Sequence, residues 1–125
     1  DGGFANEPRL PFGSTTATAA AVTLCRHLGE CLPDNTGEWL LRQSHPSGGF
    51  LAAPGAPIPD LLSTAVALHA LDALQVPVSQ LKENCLDFVD SLWSAGGGFH
   101  GNWTDDHLDC EYTYYGLLAQ GHLSL

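Results

Sequence analysis

The tripeptide Gly-Gly-Phe occurs three times in 125 residues, at Gly2-Gly3-Phe4, Gly48-Gly49-Phe50 and Gly97-Gly98-Phe99, with starts 46 and 49 residues apart. Recurrence at such a period signals stacked supersecondary units, none of which buries its apolar face alone. Ten residues beyond each Phe stand Ser14, Asp60 and Asp109, all types that cap helix N-termini. Four residues further stand Thr18, Thr64 and Thr113, inside stretches rich in Ala, Leu and Val. In the second stretch Leu61, Ala65, Leu68, Leu71 and Leu74 recur at helical spacing. The register predicts helices over 15–28, 61–74 and 110–123.

A second helix precedes each later loop. One is Glu38-Trp39-Leu40-Leu41-Arg42-Gln43, entered from Pro33-Asp34-Asn35-Thr36. The other opens at Val78-Ser79 after Pro77 and carries Leu81, Cys85, Phe88, Val89 and Leu92 on one face. Each unit therefore reads loop, helix, turn, helix. The expected fold is all-α, with five helices and no strands, in a single domain over 1–125 whose repeats span about 1–46, 47–95 and 96–125.

Composition removes several function classes. Fourteen Asp and Glu against four scattered Lys and Arg leave a formal charge of −10, the opposite of a nucleic-acid or anionic-membrane footprint. No run nears the roughly 20 apolar residues of a membrane span, and Asp1-Gly2-Gly3-Phe4 has neither the basic nor the apolar region of a signal peptide. Cys25, Cys31, Cys85 and Cys110 form no CxxC pair, so they read as reduced thiols in a cytoplasmic protein.

Gly-Gly-Phe loops leading into a helix with Asp-x-x-Tyr-Thr-Tyr-Tyr-Gly-Leu-Leu-Ala, as from Asp109 to Ala119, resemble the prenyltransferase and squalene-oxidase repeat. That repeat builds protein prenyltransferase β subunits and, in a related form, triterpene cyclases. The resemblance implies a partial α–α toroid, about two and a half helix-hairpin repeats in which inner helices start near Ser14, Asp60 and Asp109 and the helices holding Trp39 and Phe88 lie outside. It also implies an apolar cavity for an isoprenoid or similar hydrophobic small molecule, and a second copy or complementary subunit that completes the ring.

The chemistry of those families transfers only in part. Asn102 stands where the prenyltransferase loop has Arg, and Trp103 to Leu108 contains no Lys, so a diphosphate would meet carboxylates that repel it. Glu111 stands where the zinc-binding Cys is expected, and the acidic Asp-x-Asp-Asp motif of triterpene cyclases is absent. No cofactor is expected; zinc or magnesium would have to use Asp109, Glu111 and a His. Asp109, Glu111 and Asp106 are the catalytic candidates, carboxylates at an inner-helix start that acid–base chemistry would use. Tyr112, Tyr115, Trp103, Asp60 and His69 are the substrate-binding candidates, the aromatic faces being suited to carbocations. The implied function is a subunit or fragment of a terpene cyclase- or prenyltransferase-like enzyme. The alternative is a non-catalytic module of the same type that binds a partner chain or hydrophobic ligand.

Overall fold

A computed structural model describes residues 1–105 and 107–124. Among these residues the chain forms five α-helices, α1 (Thr15–Leu28), α2 (Thr36–Arg42), α3 (Leu61–Ala73), α4 (Lys82–Ser91) and α5 (Cys110–Leu123), and no strand. Helices α1, α3 and α5 lie side by side with α3 in the middle, while α2 touches α1 and α3, and α4 touches α5. No helix among the described residues is long and apolar enough to cross a membrane. The four cysteines are free.

The helix starts follow from the caps. Ser14, Asp60 and Asp109 accept the backbone N–H of Ala17, Ser63 and Tyr112 at 3.2, 2.8 and 2.8 Å, satisfying one orphan donor of each first turn. Two of the threonines four residues on, Thr18 and Thr64, hold the loops. Thr18 Oγ1 accepts the Phe4 N–H and Thr64 Oγ1 the Phe50 N–H, both at 2.9 Å. The expected helix at Val78-Ser79 instead begins at Lys82. Residues Val78 to Leu81 form a turn closed by the Leu81 N–H on the Val78 carbonyl at 2.9 Å.

Neighbouring units are joined by a bond that recurs in register. The Thr15 N–H at the start of α1 donates to the Ala52 carbonyl of the second loop at 2.8 Å, and the Leu61 N–H at the start of α3 donates to the Gly101 carbonyl of the third at 2.7 Å. Each loop thus satisfies a backbone donor that the preceding capped helix leaves open. The first two loops also press against α2 and α4. A Cβ on Gly48 would stand 1.9 Å from the Asn84 carbonyl oxygen of α4, and Gly48 has φ +103°, so only glycine fits there. Trp39, Phe50, Phe88 and Phe99 are the largest side chains of the core and are wholly buried with Leu40, Leu68, Leu71 and Val89.

Candidate functional site

Helix α3 is flanked on both sides, so almost all of it is buried. The exceptions are Leu62, Val66, His69, Asp72 and Ala73. Leu62, Val66, His69 and Ala73 recur at i, i+4, i+7 and i+11, one stripe of a helix. The same register on α5 gives Glu111, Tyr115, Leu118 and His122, and on α1 Thr16, Ala20, Thr23 and His27, all partly buried or exposed. Three adjacent helices therefore present one continuous face with an apolar middle and polar ends.

The helix N-termini make the acidic end. Both Asp60 oxygens are occupied, Oδ1 by the Ser63 N–H at 2.8 Å and Oδ2 by the Ser63 hydroxyl at 2.9 Å. Burial pushes this carboxyl above its ordinary pKa, partly offset by the two Ser63 bonds. Asp109 is exposed and gives one oxygen to its cap. Glu111 is exposed in the first turn of α5, and its side chain has no hydrogen bond among the described residues. Asp105 accepts the backbone N–H of His107 at 2.9 Å and lies 3.3 Å from its Nδ1. Those contacts, led by the backbone bond, hold Asp105 below the usual carboxylate range, and a carboxylate so stabilised is a poor proton donor.

The opposite end is built of imidazoles. His69 Nδ1 and His122 Nε2 lie 3.0 Å apart, one donating and the other accepting, and Asp72 Oδ2 stands 3.9 Å from His122 Nδ1. Burial, with His69 adding to it, pushes the His122 pKa down, and Asp72 opposes them. Beside the pair is a cleft of about 300 Å³ lined by Thr23, Arg26, His27, His69 and Ala73. A larger, open hollow of about 530 Å³ is lined by the loop from Asp1 to Gly13 and shares no lining residue with this face.

The substrate-binding and catalytic candidates separate accordingly. Tyr115, His69 and Glu111 lie on the face, and Asp109 and Asp60 cap its helices. Tyr112 stands on the side of α5 that meets α3, its ring so close to Gly101 that a Cβ there would lie 2.5 Å from it. Burial and the neighbouring Asp105 raise the Tyr112 phenol pKa. Trp103 turns to α4, where its indole N–H donates to Ser91 Oγ at 2.8 Å and its ring meets Phe88 edge-on at 5.3 Å. Asp106 lies outside the described residues. Sequence reasoning passed over Leu62, Val66, Leu118 and the pairing of His122 with His69. The repeat register held that signal, since His122 aligns with Ala73 and His27 one turn past His69.

Among the described residues no three His, Cys, Asp or Glu side chains converge to hold a metal ion. Asp109 and Glu111 have no imidazole partner, so the donor set does not fit a zinc site. No family model matches the chain, and no curated protein does. Fold and site together define an all-helical repeat protein with an amphipathic three-helix face.

Proposed function

We propose that this face binds an elongated hydrophobic small molecule of isoprenoid chemistry, as the inner wall of a prenyltransferase/squalene-oxidase-type α–α toroid. The observation that carries the reading is the exposure pattern of α3. A helix apolar on every side leaves one stripe open, and that stripe continues through Tyr115 and Leu118 on α5 and Ala20 and Thr23 on α1. Apolar middle and polar ends suit a ligand with a long hydrocarbon body and a small polar group. Two of the carboxylates are committed to caps and Asp105 is held ionised, which favours binding over buried general-acid catalysis. Glu111, unpartnered at the edge of the face, is the carboxylate best placed for acid–base chemistry if the ligand is turned over, with Asp109 beside it.

Farnesol and squalene are suitable probes. Either should raise the thermal midpoint of the wild type in proportion to the logarithm of its concentration. Val66→Gln and Leu118→Gln should abolish that shift without loss of helicity. No shift with any isoprenoid probe, or an unchanged shift in both variants, sinks the reading. Where turnover is detected, Asp109→Asn and Glu111→Gln separate the roles. Asp109→Asn leaving turnover within about twofold, with about 1 kcal/mol lost in stability, assigns Asp109 to capping alone.

A further inference from the structure

The end of the face that holds the imidazoles carries a directional hydrogen-bond chain. Asp72 Oδ2, 3.9 Å from His122 Nδ1, favours the proton of a neutral His122 on that nitrogen. Neutral His122 is the form the fold favours, since burial and His69 lower its pKa against the pull of Asp72. His122 Nε2 then accepts the 3.0 Å bond and His69 Nδ1 donates it, which leaves the lone pair on His69 Nε2. His69 lines the cleft of about 300 Å³ between α1 and α3, together with Thr23, Arg26, His27 and Ala73. The chain has four Lys and Arg against fourteen Asp and Glu, yet this cleft is lined by a guanidinium and two imidazoles and by no carboxylate. Arg26 also borders a neighbouring cleft that contains Glu30 and Asp34, and among the described residues it forms an ion pair with neither.

We propose that this cleft binds a carboxylate, the polar end of the hydrophobic ligand, between Arg26 and a protonated His69. The inference rests on the reading of the face as a hydrocarbon-binding surface, and assigns which end takes the polar group and what that group is. Three features fit a carboxylate. Arg26 supplies a planar fork of donors matched to two oxygens. Its single permanent charge balances a monoanion, whereas a diphosphate brings more negative charge than Arg26 offsets, close to Glu30 and Asp34. From the cleft the stripe Ala73, His69, Val66 and Leu62 leads along α3, so hydrocarbon attached to a carboxylate here lies on the apolar middle, and the charge stays at the end remote from Asp60 and Asp109. Arg26 and His27 face His69 from α1, His122 from α5 and Asp72 from its own helix, while Lys82 of α4 shares a second cleft with His122 and Asp72. A carboxylate beside His69 favours the imidazolium over the imidazole. Binding therefore draws in a proton and weakens as pH rises.

Farnesoic acid and farnesol share one hydrocarbon and differ in the end group. By titration calorimetry the wild type should bind the acid about tenfold more tightly than the alcohol at about pH 6. Buffers of different ionisation enthalpy should reveal net proton uptake with the acid, and the preference should shrink at about pH 8, where imidazoles are neutral. Arg26→Gln and His69→Gln, both at exposed positions, should each bring the preference within about twofold. Arg9→Gln, which removes an equal charge from the loop between Asp1 and Gly13, should keep it. Circular dichroism verifies that each variant folds. Equal affinity for the two probes overturns the inference and leaves the face as a hydrocarbon site. A preference that survives Arg26→Gln and His69→Gln, or that Arg9→Gln removes equally, overturns it as well. Binding of neither probe removes the reading of the face and this inference together.

Discussion

The Thr64 hydroxyl offers the sharpest test of the repeat as a physical device. Its Oγ1 accepts the Phe50 N–H at 2.9 Å and donates to the Asp60 carbonyl at 2.7 Å, and both Thr64 and Phe50 are completely buried. Thr64→Val preserves shape and removes the acceptor. The Asp60 carbonyl keeps the Thr64 N–H at 3.1 Å, so its loss is small. The Phe50 N–H is left buried and unpaired, at a cost of about 1–3 kcal/mol. Thr113 provides an internal control. Its hydroxyl donates only to the Asp109 carbonyl at 3.1 Å on an exposed turn, and among the described residues it holds no loop N–H. Thr113→Val should therefore cost below about 0.5 kcal/mol. Urea unfolding followed by circular dichroism reads both. Equal costs, or a Thr64→Val loss under about 0.5 kcal/mol, would refute the idea that the threonine clamps the loop.

Glycine substitutions should divide by contact. Gly48→Ala, which drives a methyl into the Asn84 carbonyl at 1.9 Å, should lose at least about 3 kcal/mol. By contrast Gly97→Ala, at φ +98° with no atom within 4 Å, should lose about 1–2 kcal/mol from backbone strain alone; equal melting temperatures would contradict this. At Asp60, Ala should cost about 1–2 kcal/mol by removing the cap, whereas Asn keeps an acceptor and escapes the buried charge. Because burial raises the Asp60 pKa, ionisation costs stability as pH rises through the folded value. Asp60→Asn should gain on the wild type between pH 4 and 7, and a gap independent of pH would count against it. For His122 the folded pKa is depressed, so its contribution is present above the ordinary imidazole value and is lost as pH falls through the folded one. Urea midpoints should drop from pH 7.5 to 5.5, less steeply in His122→Gln; an identical slope in that variant would locate the effect elsewhere.

Caps, the spans of α1, α3 and α5 and the repeat register were legible in the sequence because they are local. Ser14, Asp60 and Asp109 bond to groups three residues away, and the Gly-Gly-Phe offsets carry one loop–helix unit onto the next. Which stripe of α3 meets solvent was not legible, because Leu62 and Val66 look no different from Leu61 and Ala65 in a helix apolar on every side. Only the packing of α1 and α5 on either side decided it. The same holds for His122 and His69, 53 residues apart yet hydrogen-bonded, and for Trp103, whose indole is drawn to Ser91 and Phe88 of α4. Local chemistry set where α1, α3 and α5 begin. Long-range contacts chose which side of each helix the neighbours leave uncovered, and that uncovered side is the candidate site.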